Sequence, residues 1–243
     1  MSRSTTLARL SAEFVVIVTG VLVALAVDQW RESRDDHLQE LQLLESFVLD
    51  LQLDSADYAV MPTRSLGRVR GAEILLRNLA PQMPRSVRAL ETVDSAGPYP
   101  VPASDEELVD AFRQVEIDAD LDVAQGAYAY FSAGGGLRLV RNAMLQRRIH
   151  EYYYQVTVNR TFDPVVASAL EELRRRAHDL GLGSADDDAR RIREALRGPD
   201  AEPFFAALRT VQSQSAIQTR ISRIMLGRAL ALLEVLRAEL DTA

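Results

Sequence analysis

The stretch Phe14-Val-Val-Ile-Val-Thr-Gly-Val-Leu-Val-Ala-Leu-Ala-Val27 decides the architecture of this chain. Its fourteen residues carry no charge, whereas the whole chain of 243 residues is acidic, with a net charge of -7. Together with its flanks, from Leu10 to Trp30, the stretch would form a helix of about 31 Å, which matches the ~30 Å hydrocarbon core of a bilayer. We therefore predict one transmembrane helix at residues 10–30, after a short N-terminal tail at residues 1–12.

The margins of this segment carry groups that suit a membrane interface. Glu13 lies near one end, and Asp28 and Trp30 lie near the other. A carboxylate near a helix end can reach the headgroup region, where its burial costs much less than at the midplane. An indole ring also favours the interface. We therefore predict that these three residues are interfacial.

Two other interpretations of the N-terminus remain open. Arg3 and Arg9 could form the basic region of a cleaved signal peptide, with Ala24-Leu-Ala26 as its cleavage site. Against this, Glu13 interrupts the boundary with the apolar region, and the helical pattern continues beyond the site. The other interpretation is a buried helix of a soluble protein, but such helices rarely lack polar residues on every face over this length.

The basic residues on the two sides of the segment are nearly balanced. Arg3 and Arg9 precede it, and Arg31 and Arg34 follow it. We predict a cytoplasmic N-terminus and an exported C-terminal domain, because the first helix then acts as a signal anchor. The chain has no cysteine, which is compatible with either compartment.

Small residues on one face of the predicted span suggest contact with a second helix. Gly20 and Ala24 are spaced four residues apart, so they lie on the same face. Small residues there allow two membrane helices to approach closely. The alternative is that glycine and alanine are simply common in such helices. The span predicts a homo-oligomer, or packing against another membrane protein.

Apolar residues continue the helix beyond the membrane. They alternate three and four residues apart, a heptad pattern whose apolar part is Leu41, Leu44, Val48 and Leu51. Leu43 and Phe47 widen this stripe, which favours a bundle helix over a two-stranded coiled coil. The pattern predicts an oligomer or bundle contact, and Pro62 predicts that the helix ends near residue 60.

The remainder of the chain predicts an all-α domain over residues 31–243. Proline and glycine place a loop at residues 95–103, and Ser104 with Glu107 forms a capping box for the helix that follows. The other predicted helices are 63–79, 86–93, 121–132, 142–180 with a bend at Pro164, 185–197 capped by Ser184, and 201–240. The predicted fold is therefore a transmembrane helix that continues into a multi-helix bundle.

Two parts of the chain together carry a recognisable pattern. The first is Glu13–Leu25 with Asp28-Gln-Trp-Arg-Glu32 and the helix that ends at Leu51-Gln-Leu-Asp-Ser-Ala-Asp57. The second is Ala127–Asn142, followed by Leu145, Ile149 and Tyr152-Tyr153. The pattern resembles an uncharacterised family of small bacterial membrane proteins with a single span, and the resemblance implies an anchored helical protein of unknown function. The resemblance implies no catalytic residues. We expect this protein in the bacterial inner membrane.

Motifs that could carry chemistry have simpler structural interpretations. Gly134-Gly-Gly136 is typical of a helix end and tight turn, because no strand or Gly-Lys-Ser/Thr accompanies it. His150-Glu-Tyr-Tyr-Tyr154 could line a pocket, but its side chains point all around a helix, so one or two tyrosines are expected in the core. Asp186-Asp-Asp188 lacks the spacing of a calcium loop and suits the start of a helix.

These observations predict neither an enzyme nor a cofactor or metal site. The net charge of -7 also argues against nucleic-acid binding. We expect a self-associating interaction or scaffold module that is anchored in the lipid bilayer. The alternative is an extracytoplasmic bundle that senses a small molecule and works through a partner.

Overall fold

The computed structural model shows an all-α chain, as predicted. It describes residues 3–84, 99–118, 123–133, 136–183 and 186–242, and the side chains of residues 3–13, 15–16 and 137–138 lie outside that description. No strand occurs within these ranges. The helices are α1 (Arg3–Leu79), α2 (Asp105–Val115), α3 (Gly126–Ser132), α4 (Gly136–Leu139), α5 (Ala143–Arg160), α6 (Asp163–Asp179), α7 (Ala189–Leu196) and α8 (Glu202–Thr242), with a 3-10 turn at Pro199–Ala201.

The first helix is longer than the sequence predicts. α1 runs without interruption through Pro62 for 77 residues, about 115 Å, so the predicted helix end near residue 60 is wrong. Proline inside a helix removes one backbone hydrogen bond and costs about 3 kcal/mol. Packing outweighs this cost, because Tyr58 and Met61 before the proline and Ser65 after it are all buried in the bundle.

The part of α1 that lies in the bundle pairs with α8 in antiparallel directions. Ser65 and Thr219 share a hydrogen bond of 2.7 Å between their hydroxyls, and Gln212 donates to Glu73 at 2.9 Å. Residue numbers therefore fall along α8 as they rise along α1. The shorter helices pack against this pair and complete the bundle.

The bundle has two large apolar clusters, one toward each end of the α1–α8 pair. One contains Leu75 of α1, Phe112 of α2 and Phe204 of α8. The other contains Phe47 of α1 and Leu236 of α8. Between them, α1 and α8 contribute buried polar side chains, which are Ser65, Arg68, Glu73, Gln212, Ser215, Gln218, Thr219 and Ser222. We call this set the polar layer.

The backbones of α1 and α2 come very close at Gly71. A Cβ atom placed on Gly71 would lie 2.5 Å from the carbonyl oxygen of Ala111 and 3.1 Å from a methyl group of Val115. A glycine is therefore required for this helix crossing. One turn earlier, a Cβ on Gly67 would have only Gln114 within reach, at 3.8 Å.

Local signals explain several helix ends and correct others. The capping box of Ser104 and Glu107 is confirmed at the start of α2. The helix predicted over 142–180 is two helices, because α5 ends at Arg160 and Pro164 lies in the first turn of α6, where proline is favoured.

Other predictions concern residues at the edges of the described ranges or outside them. The helix predicted to begin at residue 185 is α7, which begins at Ala189 and is capped by the side chain of Asp188. The predicted cap Ser184, the predicted helix 86–93 and residues 95–98 of the predicted loop lie outside the described residues. Residues 99–104, which complete that loop, are not helical.

Candidate functional site

The N-terminal part of α1 projects from the bundle with its apolar side chains uncovered. Every residue from Ile17 to Asp36 is exposed. Phe14 is 68% exposed, Leu22 60% and Trp30 61%. We call residues 14–36 the projecting segment. Within the part of the chain that the structure describes, no helix is both long and apolar enough to cross a membrane.

The predicted membrane residues fall on the projecting segment or outside the described side chains. Gly20, Ala24, Asp28 and Trp30 are all exposed, and the side chain of Glu13 lies outside the description. The guanidinium carbon of Arg34 lies 5.7 Å from the centre of the Trp30 ring, in a cation–π contact. The exposed small residues leave the Gly20 and Ala24 face accessible to another helix.

Polar contacts fix the point where α1 leaves the bundle. The backbone N–H of Arg141 donates to the buried carboxylate of Glu40 at 2.7 Å. The Arg141 guanidinium also donates to the carbonyl oxygen of Ser33 at 3.1 Å. The chain before α5 therefore holds α1 at its exit from the bundle.

The residues of the predicted heptad stripe contribute to the interior of the bundle. Leu44 and Leu51 are almost completely buried in the cluster that contains Phe47, and Leu41 and Val48 are half-buried. Other helices of the same chain therefore cover this face of α1. A second copy would have to use another face.

A buried carboxylate lies where α1, α3 and α5 meet. Asp54 is 0% exposed and accepts hydrogen bonds from the backbone N–H of Ala124 at 2.8 Å and the hydroxyl of Tyr152 at 2.7 Å. One turn earlier, Asp50 accepts from the N–H of Ala127 at 2.9 Å. The two carboxylates thus satisfy backbone donors at the start of α3, where negative charge is favourable.

Aromatic rings pack beside Tyr152, which donates to this carboxylate. Tyr128 and Tyr153 stack with their ring centres 4.3 Å apart, and Phe47 meets Phe131 edge-on at 5.6 Å. Burial in these surroundings raises the pKa of Asp54 to about 6, against the lowering effect of the bonds from Tyr152 and Ala124. Burial also raises the pKa of the Tyr152 hydroxyl, so this group stays protonated and donates a hydrogen bond to the ionised Asp54.

The raised pKa of Asp54 predicts a dependence of stability on pH. The folded chain binds this proton more tightly than the unfolded chain, so the contribution of Asp54 is most favourable below its ordinary pKa of 3.8. It is lost as the pH rises toward about 6 and is constant above that value. A shift of this size limits the effect to about 3 kcal/mol.

We expect Asp54→Asn to stabilise the bundle by about 1–2 kcal/mol at neutral pH, because the amide avoids burial of a charge while it retains weaker hydrogen bonds. Urea unfolding of both proteins across the acidic range measures the difference. That difference should shrink as the pH falls from about 6 to about 4. A difference that does not vary with pH would show that Asp54 does not titrate in this range.

The polar layer is centred on a buried cation. Arg68 is 0% exposed; its Nε donates to Ser215 at 2.8 Å, and a terminal nitrogen donates to the carbonyl oxygen of Ile117 at 2.9 Å. Its other terminal nitrogen donates to Gln218. Burial lowers the pKa of Arg68 to about 10, which still leaves it charged at neutral pH. Arg68 therefore links α1, α8 and the end of α2.

The tyrosines and the aspartates of two other motifs occupy structural positions. Tyr152 and Tyr153 are buried and Tyr154 is exposed, as the structural interpretation predicts. Asp187 accepts from the N–H of Gly183 at 2.7 Å, and Asp188 caps α7. Among the described residues no group of three or more His, Cys, Asp or Glu side chains could hold a metal ion.

Sequence reasoning missed Asp54 and Arg68. The buried face of α1 continues from Phe47 and Leu51 at intervals of three and four residues, and it includes both polar residues. The signal is therefore a polar side chain in register with the core. It was not found because the predicted apolar stripe ended at Leu51 and the predicted helix ended near residue 60, before Arg68.

Two segments that are distant in the sequence meet at the buried Asp54. Asp50 and Asp54 belong to α1, and they contact Ala127 and Tyr152. Comparisons with models of known protein families, with curated proteins and with solved structures found no match.

Proposed function

We propose that the chain is a membrane-anchored helical module in which residues 10–30 cross the bilayer once and carry the bundle. The uncovered apolar side chains of the projecting segment support this proposal. Each square ångström of apolar surface left in water costs about 25 cal/mol, so transfer of this segment into lipid would lower its free energy. The first residues of the proposed span, including Glu13, precede the described side chains.

The proposed location is the bacterial inner membrane, with the N-terminus in the cytoplasm and the bundle in the periplasm. Trp30 would lie at the membrane surface, with Asp28 beside it. Glu40, where the bundle begins, would follow about 15 Å further along α1. The bundle would therefore stand close to the bilayer.

The proposed activity is self-association or the scaffolding of another membrane protein, without an enzymatic reaction or a cofactor. The exposed Gly20 and Ala24 face of the projecting segment is the surface that supports it. Leu44 and Leu51 cannot serve this purpose, because they are buried within the chain.

The alternative of a sensing bundle receives less support from the packing. A sensor of this kind needs a polar cavity among the helices of residues 105–180. Leu108, Phe112 and Leu170 of these helices instead lie in an apolar core, and the groove described below is open to solvent.

Extraction from native membranes tests the anchor. We expect the full chain to remain in the membrane pellet after washes with alkaline carbonate and with urea, and to be released by detergent, because a spanning helix is not displaced by breaking polar contacts. Release by carbonate alone would contradict the anchor. A reporter fused to the C-terminus tests the orientation, and it should be active only in the periplasm.

Crosslinking in the same membranes tests self-association separately. A dimer or larger species should form in the intact membrane and persist in mild detergent. Monomer alone under both conditions would contradict self-association without affecting the anchor.

A further inference from the structure

A surface groove of about 350 Å³ lies between α5 and α8. Its buried lining residues are Tyr152 of α5 and Leu232 of α8. Arg148, Glu151 and Arg228 line it and are exposed to solvent. An apolar floor with a few polar groups above it is typical of small-ligand sites, and this volume is at the lower end of their range.

Two cations on opposite walls determine which ligand suits the groove. Arg148 comes from α5 and Arg228 comes from α8. Among the described residues neither guanidinium forms an ion pair, although Glu151 lines the same groove. Both guanidinium groups therefore keep donors available, and arginine donors match the planar geometry of a carboxylate.

We propose that this groove binds a small organic carboxylate with an apolar body. Arg148 and Arg228 hold the carboxylate, and the Tyr152 ring and Leu232 contact the apolar body. Glu151 disfavours ligands with a second negative charge near it. The groove itself does not depend on the proposed membrane anchor, whereas the source of the ligand, argued next, rests on that proposed function.

The position of the groove indicates that the ligand comes from the aqueous phase. The Tyr152 hydroxyl donates to Asp54, so the groove lies level with that part of α1. Asp54 is about 36 Å along the helix from Trp30. A lipid headgroup at the level of Trp30 would not reach the groove.

Fluorine NMR of 4-(4-fluorophenyl)butyrate tests the site with the full chain in phosphatidylcholine nanodiscs. We expect saturable broadening of the probe signal beyond that of empty nanodiscs. Arg148→Gln with Arg228→Gln should weaken binding at least tenfold, because both donors to the carboxylate are lost. The amide analogue of the probe should bind the unmodified chain at least tenfold more weakly.

A matched variant provides the control. Arg147→Gln with Arg223→Gln removes the same charge from exposed positions on the same two helices, outside the groove. This variant should bind as the unmodified chain does. Equal weakening in both variants, equal binding of the amide, or no saturable broadening up to millimolar probe would each overturn the proposal.

A substitution that fills the groove tests the site without a change of charge. Ala231 lines the groove and is exposed, so Ala231→Trp should occupy the space of the apolar body without disturbing the core. We expect this variant to abolish binding of the probe. Binding that persists with unchanged affinity would place the probe elsewhere on the chain.

Discussion

Leu22→Arg is expected to weaken membrane insertion of the chain by about 3 kcal/mol, because a cation near the middle of a span is poorly tolerated. Leu22 lies close to the centre of the proposed span at residues 10–30. The fraction of the chain that resists carbonate extraction should therefore fall markedly. The measurement is the ratio of pellet to supernatant after extraction, compared with the unmodified chain.

Leu49→Arg is the matched control for this experiment. Leu49 is also on α1 and is 61% exposed, against 60% for Leu22, but it lies beside the bundle rather than in the projecting segment. The same substitution there adds the same charge to water-exposed helix. We expect Leu49→Arg to leave extraction unchanged. Equal behaviour of the two variants would contradict the proposed position of the membrane.

Gly71→Ala is expected to destabilise the bundle by about 3 kcal/mol, at the upper end of the usual cost of overpacking. The new methyl group would lie 2.5 Å from the Ala111 carbonyl oxygen, and a backbone atom cannot rotate away as a side chain can. α1 and α2 would have to separate. Urea unfolding followed by far-ultraviolet circular dichroism measures the change.

Gly67→Ala tests the same substitution one turn away on the same helix. Its new methyl group would have only Gln114 within reach, at 3.8 Å. Alanine inside a helix is more stable than glycine by about 1 kcal/mol, so we expect Gly67→Ala to stabilise the bundle by up to that amount. A loss of stability in both variants would show that the helix crossing is not the cause.

The helical architecture could be predicted from the sequence because it depends on local patterns. Ser104 and Glu107 satisfy backbone donors within one turn, so their effect is independent of the rest of the fold. The apolar spacing of Leu44 and Leu51 similarly identifies a buried face of α1. Such signals predict that a segment is helical more reliably than they predict where the helix begins and ends.

The ends of α1 and the buried polar groups depend on contacts between distant residues. Pro62 disfavours a helix locally, and only the packing of both its sides in the bundle compensates for that cost. Arg68 is satisfied by Ser215 and Gln218, 147 and 150 residues further along the chain. No local pattern identifies these partners, so neither the continuous helix nor the pairings within the polar layer could be predicted from the sequence alone.

Because α1 is continuous, it sets both the distance and the rotation of the bundle relative to the projecting segment. Each residue of a helix advances about 1.5 Å and turns about 100°, and α1 has no break between Trp30 and Leu79. One residue inserted after Trp30 would therefore turn the bundle by about 100° relative to the projecting segment. Seven inserted residues would move the bundle about 10 Å further from the projecting segment and would nearly restore its original rotation about the helix axis. The distance and the direction in which the bundle presents its surfaces are thus set by a count of residues.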